Sequence, residues 1–191
     1  MEQLTIWSTE AIAQHDEALS RLRTNQSEYT GARMILRYQY YSQLIDKLAD
    51  GKNINLHGKE GIGKTYIIRE YLLKDINVSA VYLSLEYPFC LDNLFEVIPM
   101  SFGLYYSLDW GKVVDCLSQG TSKLLVLDNF DRLHVASENF AEDLSRLGML
   151  AKLDNLSVLT VSRLPLRYFH FASFTDCFED FTMDDSNCWM F

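Results

Sequence analysis

Gly58, Gly61, Gly63, Lys64 and Thr65 are the residues whose types and spacing most plainly specify chemistry. They spell GxxxxGK[ST] inside Asn53-Ile54-Asn55-Leu56-His57-Gly58-Lys59-Glu60-Gly61-Ile62-Gly63-Lys64-Thr65. Glycines there allow successive backbone N–H groups to turn inward around an anion. A helix expected to start near Thr65 adds its own unpaired N–H groups and the positive end of its dipole. The expected phosphate cradle is therefore Gly58, Lys59, Glu60, Gly61, Ile62, Gly63, Lys64, Thr65 and Tyr66. In it, Lys64 reaches the β- and γ-phosphates, and the Thr65 hydroxyl holds the magnesium ion that bridges them. Lys64 is expected on a solvent-open loop, with a charge that serves phosphate alone.

Asp128 is the second residue with chemical meaning. It closes Lys123-Leu124-Leu125-Val126-Leu127-Asp128-Asn129, a continuous apolar run suited to a strand buried on both faces. An Asp at the carboxyl end of such a strand lies where ligands bind in open α/β sheets, and there it can serve magnesium beside Thr65. Arg163 ends a comparable run, Leu156-Ser157-Val158-Leu159-Thr160-Val161-Ser162-Arg163. Its cation is expected near Asp128, where it can sense or stabilise charge on a γ-phosphate.

These residues need a frame. Polar-rich residues 9–24 carry Ile12, Leu19 and Leu22 at helical spacing, and Ala32 to Ala49 presents Ile35, Leu36, Tyr40, Leu44, Ile45 and Leu48 before Gly51. Strands are expected at 53–57, 80–85, 123–128 and 157–162, with a last one near Cys177 to Met183. Helical or loop segments fall at 64–74, 91–119 and 138–151. This rhythm implies an α/β fold: a three-layer α/β/α P-loop NTPase with a mostly parallel sheet. The division is a helical N-terminal extension over 1–27 and one core over 28–191.

Composition narrows the class. At 191 residues, with 48% hydrophobic and 23% charged side chains, the chain can bury the core of one domain. No run approaches bilayer length and the N-terminus lacks signal-peptide features, so a cytoplasmic protein without membrane contact is expected. Cys90, Cys116, Cys177 and Cys188 lack CxxC spacing and read as buried thiols, and the four histidines show no metal-ligand spacing. A net charge of −9 repels polyanions on average, so direct nucleic-acid binding is disfavoured.

The stretches Leu124-Leu125-Val126-Leu127-Asp128-Asn129-Phe130-Asp131-Arg132-Leu133 and Leu159-Thr160-Val161-Ser162-Arg163-Leu164-Pro165-Leu166, taken with the glycine loop, resemble the STAND branch of AAA+-related P-loop ATPases. The likeness covers residues 28–183 as a layout. It implies that Lys64 and Thr65 bind phosphate and magnesium, that Asp128 serves the magnesium, and that Arg163 is the sensor-1 residue. Gly31 and Arg33 resemble the glycine–arginine pair that precedes the loop in that family and lies near the nucleotide base. Many hydrolysing relatives follow the Asp with a water-activating Glu, whereas this chain has Asn129. An amide cannot take up a proton, so Asp131 or Glu138 substitutes or hydrolysis is slow. The family's helical lid and winged helix are not met before Phe191.

The resulting expectation is an ATP-binding, magnesium-dependent module that acts as a nucleotide-gated switch, with Lys64, Asp128, Asp131 and Arg163 carrying any catalysis. Adenine is favoured because no NKxD-like tetrad appears, and a protein partner or second copy is expected to complete the site. The rivals are a non-enzymatic adaptor that docks a partner through the aromatic and acidic tail from Phe169 to Phe191, and an AAA+ regulator of a DNA transaction.

Overall fold

The computed structural model describes residues 30–104, 109–137 and 139–184. Five strands, β1 (Asn53–His57), β2 (Ser79–Ser84), β3 (Lys123–Asp128), β4 (Leu156–Ser162) and β5 (Phe178–Thr182), form one sheet in the order β2-β3-β4-β1-β5. Every neighbouring pair is parallel, so the sheet is entirely rather than mostly so. The expected strands fall within a residue or two of these bounds. The strand that ends at Arg163 lies between β3 and β1, as the proposed parallel order requires.

The helices are α1 (Thr30–Ala49), α2 after β1, α3 (Pro88–Asp92), α4 (Leu94–Ser101), α5 (Trp110–Leu117), α6 (Asp131–Ala136), α7 (Phe140–Leu150) and α8 (Ala172–Thr175). Helix α2 is α-helical over Lys64–Ile67, relaxes into a π turn over Ile68–Leu72 and closes over Leu73–Asp75. The periodicity at 64–74 contains no signal for that π turn. Pro88 starts α3, where a missing N–H costs nothing, and the Asp109 carboxylate caps α5 by accepting from the Lys112 N–H at 3.0 Å.

Two cores flank the sheet, and strand parity decides which side chain enters which. Leu124 and Val126 of β3 join Ile54, Leu56, Leu159 and Val161 beneath α1 and α2. Leu125 and Leu127 join Val81, Leu83 and Val158 beneath α4, α5 and α7. A strand covered on both sides must be apolar throughout, which is why β3 reads as an unbroken run. Tail aromatics complete these cores: Phe174 is fully buried and stacks at 5.7 Å on Phe130, while Phe181 lies in the α1 and α2 core. That assignment takes Phe174 and Phe181 away from any docking surface.

The expected helix at 9–24, like the 1–27 extension and Trp189 and Phe191, lies outside the described residues. Among the cysteines, Cys116 is exposed and Cys90 and Cys177 are half-buried, so the expectation of buried thiols is corrected; Cys188 lies outside the described residues. Among the described residues, no helix is long and apolar enough to cross a membrane.

Candidate functional site

Strand β1 delivers the glycine loop at the carboxyl edge of the sheet, and the loop turns into α2 at Gly63. Gly63 caps that helix with φ 108°, a left-handed conformation that an L side chain resists. Gly58 is fixed by proximity: a Cβ there would come within 2.2 Å of the Met183 carbonyl oxygen. The Met183 N–H in turn donates to the His57 carbonyl at 2.7 Å, so the segment after β5 braces the start of the loop. Gly61 has φ 77°, Lys59 and Glu60 are exposed, and Ile62 and Tyr66 are half-buried.

The Lys64 ammonium folds back on its own loop, donating to the Gly58 carbonyl at 2.7 Å and the Lys59 carbonyl at 2.9 Å. Lys64 is only 9% exposed, which corrects the expectation of a solvent-open lysine. Burial pulls its pKa below the ordinary lysine value, while the charges of Asp128, Asp131 and Glu60 pull the other way. A cation held between carbonyls in this manner is placed to exchange them for stronger anionic acceptors.

Asp128 is 1% exposed, and a buried carboxylate has to be hydrogen-bonded. Its Oδ2 accepts from the Thr65 hydroxyl at 2.8 Å and the Tyr82 hydroxyl at 2.7 Å, and its Oδ1 accepts from the Asn129 N–H at 2.8 Å. The first contact joins the two residues expected to hold magnesium. Parity explains it: Asp128 follows Leu124 and Val126 on the face covered by α2, where Thr65 sits in the first turn. Asn129 adopts φ 58° and donates through its side-chain amide to the Ser84 hydroxyl at 3.2 Å. Asn tolerates that left-handed backbone better than a Glu would, so the amide suits the turn as well as lacking a base.

Arg163 follows β4 and is exposed. Its N–H donates to Asp131 Oδ2 at 2.8 Å, its Nε lies 3.5 Å from the same oxygen, and its Nη1 is 3.9 Å from Glu60 of the loop. The structure thus brings Arg163, Asp131 and the glycine loop together, with the Asp131 carboxylate engaged by a cation. Arg33 lies on α1, and Glu138 falls outside the described residues.

Beneath the loop runs a polar network that the sequence reading missed, with Asn55, Thr160 and Ser162 buried and Asp180 at its exposed rim. Asn55 Oδ1 accepts from the Thr160 hydroxyl and lies 2.9 Å from the Ser162 hydroxyl as well; its Nδ2 donates to Asp180 Oδ1 at 2.8 Å. Asp180 Oδ1 also accepts from the Leu166 N–H at 3.2 Å. These bonds lock β1 to β4 and β5 directly below Gly58 and Arg163. His57 is nearby, 3.0 Å from the Thr182 hydroxyl, and burial lowers its pKa. Alternation of Ile54 and Leu56 hides the asparagine, whose partners become visible only when the strand order is known.

Magnesium fits this donor set. Among the described residues no cluster of three His, Cys, Asp or Glu could hold a metal, so no all-protein cage competes. A hydroxyl backed by a carboxylate is the arrangement that a phosphate-bound magnesium ion uses.

No family model and no curated protein matches the chain. Solved structures do. A chain of Drosophila ORC bound to AT-rich DNA and Cdc6 is 17% identical, with 85% of this chain and 60% of that chain covered and a TM-score of 0.55. A chain of Drosophila ORC bound to DNA is 21% identical over 84% of this chain and 98% of its own, with a TM-score of 0.53. The Aeropyrum pernix ORC1 protein in complex with DNA is 18% identical over 76% and 44%, with a TM-score of 0.56. The chain therefore spans about 60% of the first of these. At such identities the likeness establishes the fold alone, an α/β P-loop NTPase fold with a parallel sheet.

Chains of this fold occur in DNA-bound structures, and that overturns the expectation that direct nucleic-acid binding is disfavoured. The physical error lies in averaging. A net charge of −9 describes the whole chain, whereas phosphate contact needs only local cations, and exposed Arg132, Arg163 and Arg167 follow the carboxyl ends of β3 and β4.

Proposed function

We propose that this chain is an ATP-binding, magnesium-dependent P-loop module working as a nucleotide-gated switch with weak or partner-stimulated hydrolysis. The observation that carries the reading is the 2.8 Å bond from the Thr65 hydroxyl to Asp128, beside a lysine held on the loop's own carbonyls. In this reading the backbone from Gly58 to Tyr66 cradles phosphate and Lys64 exchanges its carbonyl partners for phosphate oxygens. Magnesium, when bound, neutralises phosphate charge. Thr65 and Asp128 would hold it, the Thr65 hydroxyl continuing to donate to the carboxylate as it does here. Arg163, steadied by Asp131, faces the γ-phosphate, and the resemblance of Gly31 and Arg33 to the family's glycine–arginine pair assigns Arg33 to the base.

A switch requires contacts that differ between ligand states. Lys64 and Arg163 supply them, since each now rests on protein acceptors that a γ-phosphate would outbid. Hydrolysis is slow because Asn129 offers an amide where a base is needed and Asp131 is engaged by Arg163. Calorimetry with ATP, with and without magnesium, tests binding; phosphate release tests turnover. The expected result is magnesium-dependent binding with turnover well below the roughly 1–100 s⁻¹ of active kinases. No binding in either condition would overturn the reading, and fast turnover would overturn its switch character. The STAND assignment rests on the letters around Asp128 and Arg163.

A second reading, a regulator of a DNA transaction, is favoured over an adaptor by the neighbours in DNA-bound complexes. The two readings share the nucleotide site and differ in what the ATP-bound state holds.

A further inference from the structure

Tyr82 lies on β2, separated by two strands from β1, which delivers the glycine loop, and nothing in the loop's pattern points to it. In the parallel pairing with β3, Tyr82 is level with Val126, two residues before Asp128 and on the same face. From there its hydroxyl reaches Asp128 Oδ2 at 2.7 Å. The same oxygen accepts from Thr65 at 2.8 Å, and Asn129 N–H occupies a position on Oδ1 at 2.8 Å. The carboxylate therefore has both lone-pair directions of Oδ2 taken and one of Oδ1 taken. Its rotation is fixed by three donors from three different segments.

We infer that Tyr82 is a positioning residue for magnesium, orienting Asp128 so that its oxygens meet Thr65 and the ion's water shell in one geometry. This rests on the nucleotide-site reading above and adds to it a residue on a different strand. Burial and the Asp128 charge beside it hold the phenol's pKa well above its ordinary value, so the hydroxyl remains a donor wherever the protein is folded. Without it, one Oδ2 lone pair is released and the carboxylate can turn about its own bond, so Thr65 keeps its partner but the ion loses a fixed one. Partners of this kind, which orient the groups around a metal, typically change metal affinity by about 10–100-fold when removed.

The test is Tyr82→Phe, which keeps the ring and its packing and removes only the donor. Fluorescent ATP is bound to wild type and variant in chelator-buffered solutions of rising free magnesium, and the bound nucleotide is read by anisotropy with no turnover measured. The expected result is a magnesium midpoint raised about tenfold, with affinity for the metal-free nucleotide unchanged and the variant still folded at the temperature of the assay. An unchanged midpoint overturns the inference, leaving Tyr82 as a core residue. An equal loss of affinity with and without metal also overturns it, because the effect then passes through the loop. If wild type binds nucleotide without any magnesium dependence, the metal role of Thr65 and Asp128 fails, and the Tyr82 inference with it.

Discussion

Lys64→Ala should lower affinity for magnesium ATP by about 100-fold while leaving the protein folded. Two charge-assisted hydrogen bonds to phosphate, each worth about 1.5 kcal/mol, are lost, and together they correspond to that factor. The folded state loses less. The carbonyls of Gly58 and Lys59, which Lys64 now satisfies, belong to a loop whose residue Lys59 is exposed, so water can replace the ammonium. Removing a buried cation, whose pKa burial already depresses, offsets part of what remains. Calorimetry with ATP and magnesium, beside a thermal melt of each protein, reads both quantities. Affinity within about threefold of wild type, a difference under 1 kcal/mol, in a folded variant would remove the lysine from phosphate binding.

The parts of this fold that were legible in the sequence are those written in local patterns. An unbroken apolar run such as Leu124 to Leu127 can be satisfied only by a strand covered on both faces. The glycine spacing admits few backbone paths, so Gly58 to Thr65 identifies itself without neighbours. Asp128 was legible because it terminates such a run downstream of such a loop.

What escaped needed strand order. Tyr82 reads as an ordinary aromatic on a half-buried strand until β2 is laid beside β3 in register. Lys64 reads as a solvent-facing lysine until the loop's own carbonyls are seen beneath it. The left-handed turn at Asn129 leaves no mark that distinguishes it from a plain replacement of Glu. The charge argument failed for the opposite reason, because the net charge of the whole chain does not fix the sign of any one edge.

Asn55→Ala should be the most damaging single change in the frame beneath the site, costing about 3 kcal/mol. Asn55 is fully buried and serves β4 and β5 at once: it accepts from Thr160 and donates to Asp180. Truncation removes those bonds together and leaves the Thr160 hydroxyl, itself fully buried, without its acceptor. Each stranded buried group costs about 1–3 kcal/mol, more than the net gain from forming the bond. For a domain of this size, 3 kcal/mol corresponds to a fall of roughly 6–12 °C in melting temperature. Polar satisfaction rather than volume dominates this cost, so adding Thr160→Val, which removes the stranded hydroxyl, should recover part of the loss. The double variant should then melt higher than the sum of the two single effects allows. Strict additivity, or a fall of under about 2 °C for Asn55→Ala, equivalent to less than 1 kcal/mol, would mean that water replaces the amide and that β1, β4 and β5 are held by their backbone ladders alone. If the network carries the load, loosening it also frees the strand that presents Gly58 relative to the strand that presents Arg163. The variant should then bind ATP more weakly even at temperatures where it remains folded, because the two ends of the site no longer hold a single spacing.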